Sequence, residues 1–368
     1  MRTCILFILL SVIVVIFPIT AEPSFWEKSP DSTLISRLLE EMNNEELLGQ
    51  VLMFGYRGTS PSQEIMDFIQ KHYIGGIKIF GWNVERLPEL VSSITEMQKA
   101  AAELPHEIPL LIATDQEGGW VRHIKGETSV TPGNMAIGAT NLPYDAYNSG
   151  YYIGMELKAL GINMNFAPTV DVYANPDAHV IGPRAFSDDP VKTANLSVAF
   201  FHGMQDTGII CTAKHFPGHG SADVDSHGAL PIINTSFDEL WNTDMVPYRF
   251  LIKENIPAIM SGHLAYPNIT GDETPSSLSY FFQTKLLRDT LGFEGILITD
   301  DLRMHGVTHT GLSAEQITIQ CLESGVDIVM LSGTKDIQQA VINALYEKIQ
   351  NDSSFKRRVT EAAERVLS

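Results

Sequence analysis

The chain has 368 residues, of which 44% are hydrophobic and 19% charged, with a formal net charge of −19. That length suits a single α/β barrel, and the apolar content supplies a sizeable core. The excess of carboxylates argues against a nucleic-acid partner or an anionic membrane surface, and favours a neutral or weakly charged ligand.

The first residues read "MRTCILFILLSVIVVIFPITAEPS". One Arg precedes an apolar run from Cys4 to Phe17, and the small residues Thr20 and Ala21 follow. The run is short for a membrane span and has the region order of a secretory signal. We expect cleavage near Ala21, with residues 1–21 as the signal and 22–368 as one mature domain. Export to the cell envelope, periplasm or medium follows. The alternative is an uncleaved anchor, which would be the one reason to expect membrane attachment. Cys211 and Cys321 then remain, both in apolar segments, and read as buried thiols rather than a bridge.

Eight short apolar runs come next: 51–56, 75–80, 109–114, 162–168, 209–214, 257–262, 295–299 and 327–331. Their near-continuous hydrophobicity predicts strands buried on both faces, as parallel sheets require. Amphipathic helical pattern lies between most of them, for example at 87–103 and 313–325. Eight is the number that closes a (β/α)8 TIM-type barrel, which is the predicted fold. A doubly wound open sheet is the alternative, but the glycine-rich first turn it often carries is missing.

In such barrels the active site lies at the C-terminal ends of the strands. Asp115 follows the third run, Lys214 and His215 end the fifth, His263 follows the sixth, and Asp300 and Asp301 follow the seventh. Their convergence predicts a pocket lined with acids, bases and hydrogen-bond donors.

The densest polar stretch is "CTAKHFPGHGSADVDSHGALP" (211–231). A metal nest is one reading of its histidines and aspartates, but Pro217 and Gly218 interrupt the His215-x-x-x-His219 spacing, so no helical face presents two imidazoles. An acid–base reading asks less. Asp225 stands two positions before His227, where an extended backbone points both side chains to one side. The carboxylate could then fix the imidazole's tautomer and stabilise its protonated form. With Asp300 as nucleophile, that pair would suffice for glycoside hydrolysis with retention, a histidine standing where a second carboxylic acid is usual. The plainer alternative is a turn in which Asp225 caps backbone amides.

The segment "KHFPGHGSADVDSHGALP" (214–231) closely resembles the signature of the β-N-acetylglucosaminidase branch of glycoside hydrolase family 3. "ATDQEGGWV" (113–121), "NFAPTVDV" (165–172), "VIGPRAFSDDP" (180–190) and "ILITDDLRM" (296–304) match the same branch in the same order. The resemblance implies a barrel catalytic domain of that family's N-terminal type, with Asp300 as nucleophile and His227, paired with Asp225, as acid/base. It implies sugar-hydroxyl contacts from Asp115, Arg184, Lys214 and His215, and neither metal nor cofactor. The implied activity is exo-acting removal of terminal β-linked N-acetylglucosamine from cell-wall or chitin-derived oligosaccharides or muropeptides. A β-N-acetylglucosaminide phosphorylase or a β-glucosidase on the same scaffold is the alternative, and a non-catalytic carbohydrate-binding barrel a lesser one. One departure stands out. Where the branch often has arginine, "EGGWVRHI" (117–124) has His123, and Arg122 sits one residue early. A shift of one in an extended segment turns the side chain to the other face.

Overall fold

Each predicted apolar run folds as a short strand, in a computed structural model that describes residues 23–368. The expected signal and its cleavage site lie outside those residues. The strands are β1 (Leu52–Gly55), β2 (Gly76–Ile79), β3 (Leu111–Thr114), β4 (Gln116–Gly118) and β5 (Val121–Arg122). They continue with β6 (Met164–Asn165), β7 (Ile210–Phe216), β8 (Ala258–Ser261), β9 (Ile296–Thr299) and β10 (Val329–Leu331). Eight of them join in the order β10-β1-β2-β3-β6-β7-β8-β9. A parallel bridge between Ile298 and Ile328 returns β9 to β10 and closes the sheet. The chain is therefore the barrel and not the open sheet. The remaining two strands, β4 and β5, pair as a small antiparallel hairpin above β3.

The helices between the strands follow their local chemistry. The spacing at 313–325 becomes a helix over Ala314–Ser324. Ser313 accepts from the Gln316 amide, and the Gln316 side chain accepts from the Ser313 amide, which satisfies two amides that the first turn leaves unpaired. Gly325, at φ 121°, ends it.

Strand alternation sorts the core into two layers. Ile77, Ile112, Cys211, Ile259, Leu297 and Val329 face outward against the helices. Met53, Ala113, Met164, Met260, Ile298 and Met330 fill the lumen. Two residues further along, the same inward face carries Asp115 above Ala113, Phe166 above Met164, and Asp300 above Ile298. Lys78 and Lys214 join this upper layer from β2 and β7. The period of two thus lifts charged groups onto an apolar plug. In β7 the pairing with β8 jumps between Ala213 and Phe216. This irregularity breaks strict alternation and lets the successive side chains of Lys214 and His215 serve one site. Cys211 and Cys321 are buried and free.

At the opposite end, Asp327 ties the barrel floor together. Its fully buried carboxylate accepts from Arg288, from Arg358 at 2.7 Å, from Arg365 at 3.1 Å and from the Leu297 amide at 2.9 Å. Asp327→Ala would leave three guanidinium groups around an empty position. Removing one partner of a buried pair costs about 3–5 kcal/mol. We expect a loss of that size in urea denaturation, with the KM of the folded variant unchanged because the site lies at the other rim.

Candidate active site at the C-terminal rim

Asp115, just past β3, is the meeting point of the rim. One carboxylate oxygen accepts from Lys214 Nζ and the other from Lys78 Nζ. Burial alone would raise the Asp115 pKa, but the two lysines outweigh it and hold the group well below the ordinary carboxylate range. Lys214 also reaches Glu117 Oε1 at 2.7 Å. Arg184 grips the same Glu117 with a planar fork, Nε to Oε2 at 2.9 Å and Nη2 to Oε1 at 2.8 Å. Burial would raise the Glu117 pKa, yet Arg184 and Lys214 bring it down to about 2. Asp115, Glu117, Lys78, Lys214 and Arg184 therefore form one continuous charge network.

His215 connects this network to a second carboxylate. Arg184 Nη2 lies 3.3 Å from His215 Nε2, and His215 Nδ1 lies 2.8 Å from Asp171 Oδ2. Because guanidinium can only donate, Nε2 is the acceptor and Nδ1 carries the proton to Asp171. Asp171 also accepts from the amides of His215 and His219 at 3.2 and 2.7 Å. Opposed by burial but favoured by His215, its pKa falls to about 2.

Asp300 begins the segment after β9, its amide bonded to the Ser261 carbonyl at 2.9 Å. Burial works against ionisation, while His215, His263 and Lys214 outweigh it, so its pKa lies below the ordinary value. A carboxylate held ionised in a partly dry pocket can act as a nucleophile. Asp301 turns away as alternation predicts, its Oδ1 accepting from the amides of Arg303 and Ser332. His263 is completely buried between Ser277 and the Asp301 carbonyl, so it packs beneath the site and does not line it.

The Asp225–Ser226–His227 loop is divided. Asp225 Oδ1 accepts from both the amide and Nδ1 of His227, at 2.9 and 2.8 Å, so the turn reading and the acid–base reading describe the same contact. The two side chains are exposed, 48% and 69% respectively. Neither bonds to Asp300 or to the charge network. Ser226 between them is buried: its Oγ shares a hydrogen bond with His219 Nε2 at 3.1 Å, and its carbonyl accepts from the Gly306 amide at 2.8 Å. Gly306 suits this close approach, because a Cβ there would stand 3.1 Å from the Ser226 oxygen and 3.0 Å from the His263 oxygen, tighter than most Cβ contacts. The loop is thus pinned at its middle residue to the segment that follows Asp300.

The structure therefore gathers Asp115, Arg184, Lys214, His215 and Asp300 at one rim and leaves Asp225 and His227 at its lip. Sequence reasoning passed over Lys78, Glu117, Asp171 and Ser226. Glu117 and Asp171 lie inside the motifs quoted above, and a lysine within the apolar run "GGIKIF" was the available signal for Lys78. Among the described residues no group of three or more His, Cys, Asp or Glu side chains is placed to hold a metal ion. Carboxylates and cations alternating at the top of a barrel can give and accept hydrogen bonds with a polyhydroxylated ligand.

This combination of barrel and rim defines a class of enzyme that works on carbohydrates. Residues 43–368 match the family described as glycosyl hydrolase family 3 N terminal domain, and the chain belongs to that family. It is 36% identical over 322 residues to a protein named beta-hexosaminidase A from Pseudoalteromonas piscicida, a match covering 79% of this chain but only 54% of that relative. It is 34% identical to a beta-hexosaminidase from Idiomarina loihiensis, covering 80% of this chain and 87% of that one. Among solved structures, a family 3 beta-N-acetylglucosaminidase from Paenibacillus sp. superposes with a TM-score of 0.85 at 34% identity, over 89% of this chain and 62% of that one. A beta-N-acetylhexosaminidase from Beutenbergia cavernae gives 0.82 at 30%, over 89% and 98%. The chain thus spans about half of the Pseudoalteromonas relative and nearly all of the Beutenbergia one.

One buried acid behind the site is not compensated. Asp244 presses against Gly218, where an added Cβ would come within 2.3 Å of its Oδ1, and that oxygen has no hydrogen-bond partner. Burial pushes its pKa up to about 7. The folded state therefore holds this proton more tightly than the unfolded chain, and stability falls as pH rises from about 4 to about 7. We expect Asp244→Asn to remove that part of the pH dependence and to raise stability above pH 7, by at most about 4 kcal/mol. Denaturation midpoints measured across that range check it.

Proposed function

We propose that this chain is an exo-acting, retaining β-N-acetylglucosaminidase. In the first step an Asp300 oxygen bonds to the anomeric carbon as the glycosidic bond breaks, and the leaving oxygen takes a proton from His227 Nε2. In the second, His227 accepts a proton from water, the water oxygen bonds to the anomeric carbon, and Asp300 leaves as carboxylate. Asp115, Arg184, Lys214 and His215 hold the terminal sugar. The observation that carries this reading is the Asp225–His227 pair: Nδ1 is engaged by the carboxylate, which leaves Nε2 to handle the proton. His227 is exposed at the lip, where an incoming glycoside can reach it.

The preference for N-acetylglucosamine is supported by relatives that are beta-hexosaminidases and beta-N-acetylglucosaminidases, and by a histidine loop in place of a second carboxylic acid. The work would be done by residues 22–368, outside the cytoplasm if 1–21 acts as an export signal. Cell-wall fragments, muropeptides or chitin oligosaccharides are the substrates we propose.

Release of p-nitrophenol from the matched β-N-acetylglucosaminide and β-glucoside tests the sugar, with the former expected to dominate. Adding inorganic phosphate should leave free N-acetylglucosamine as product; sugar 1-phosphate would make the enzyme a phosphorylase. Asp300→Ala should lower kcat by more than about 10³-fold on every substrate while the fold survives. His227→Ala should cost about 10²–10⁴-fold on oligosaccharides but little on activated aryl glycosides, whose leaving group needs no proton. Equal losses on both would count against the acid role.

A further inference from the structure

We propose that Lys78 is a positioning residue for substrate binding, supplying from β2 the positive charge that keeps Asp115 ionised and aimed at the sugar. This rests on the reading of Asp115 as an acceptor of sugar hydroxyls.

The register places it there. Lys78 pairs with Ala113 of β3, two residues before Asp115 on the same inward face. Its side chain is 1% exposed, and its ammonium bonds to Asp115 Oδ2. The faces of Phe166 and Phe80 also lie against that nitrogen, with ring centres at 4.6 and 5.2 Å. An ammonium so desolvated is costly unless paired, and the pairing here is with a single carboxylate.

Lys78 is the cation on Oδ2, and the neighbouring charges are divided otherwise. Lys214, the cation on Oδ1, is shared with Glu117, and Arg184 is committed to Glu117. His123 lies nearest to the same oxygen, with Nδ1 at 3.7 Å from Oδ2. That nitrogen has no hydrogen-bond partner. Burial first, and then Lys78, push the His123 pKa down to about 4, so the ring is neutral under ordinary conditions. The position that departs from the arginine of the resembled pattern is therefore uncharged, and the cation arrives from the neighbouring strand.

The groups facing Asp115 are Lys78 from β2, Lys214 from β7 and His123 beyond β5; Lys78 also feels Asp300. Both lysines stabilise the carboxylate. Removing Lys78 raises the pKa of Asp115, so the protonated form, which binds poorly, appears at higher pH.

The test is Lys78→Met, alone and combined with His123→Arg, assayed with p-nitrophenyl β-N-acetylglucosaminide. The single variant should raise KM by tenfold or more with kcat changed less than threefold. It should also move the acid limb of kcat/KM to higher pH. The double variant, with a cation returned beside Oδ2, should recover both. A merely structural lysine predicts a lower melting temperature with KM and the acid limb unmoved, and that result overturns the proposal. So does a double variant no better than the single. If the single variant does not fold, a double variant that folds and binds N-acetylglucosamine supports the inference, and one that fails overturns it. Should the wild-type enzyme prefer the glucoside, the N-acetylglucosamine reading falls by itself, and the same variants judge Lys78 on that substrate.

Discussion

The site depends on one shared ion pair. Lys214 Nζ sits between Asp115 and Glu117, and each of those carboxylates has a second cation of its own, Lys78 or Arg184. None of these groups could remain charged alone at such depth, since the desolvation of an isolated ion amounts to several kcal/mol. Together they satisfy one another, with the price of burial spread over the network. The result is a floor whose charges are fixed before any ligand arrives, so little reorganisation remains to be done on binding.

Strand geometry places the two acids at the heart of the site, Asp115 and Asp300. Apolar side chains fill the lumen up to Ala113 and Ile298, and the next inward positions are Asp115 and Asp300. The lip obeys different rules. Asp225 and His227 stand exposed on a loop held by the Ser226 carbonyl and hydroxyl, and the small Gly306 eases the close approach of the two segments. On the proposed reading, a charged base would hold the sugar while the exposed lip leaves it room to enter and leave.

The eight strands and their closure were legible because hydrophobic runs of the right length leave little else to form. Asp115, Lys214 and Asp300 were legible because they stand at strand ends, where a barrel collects its chemistry. Lys78, Glu117 and Asp171 were not. Lys78 lies inside an apolar run, where position marks it as core, and only the lateral register with β3 shows that it meets Asp115. Glu117 and Asp171 act between neighbouring strand ends on Arg184 and His215, residues 67 and 44 positions away. Contacts of that kind are set by which strands lie side by side, which local patterns do not encode. Ser226 was hidden for a related reason: a small polar residue in a glycine-rich loop reads as solvated until its partners on two other segments are in place.

The same network bears on why a histidine would stand where glycosidases commonly place a carboxylic acid. A carboxyl proton donor must keep its proton near neutral pH, which requires a raised pKa. Lys78, Lys214 and Arg184 do the opposite to the carboxylates they touch, drawing Asp115 and Glu117 below their ordinary range in spite of burial. A second carboxylic acid set among those cations would lose its proton, and one more negative charge would repel Asp300. An imidazole on the exposed lip avoids both difficulties. It carries no negative charge in either protonation state, and Asp225 engages its Nδ1. On the proposed reading, the binding charges and the proton carrier are kept apart because the field that suits one would disable the other.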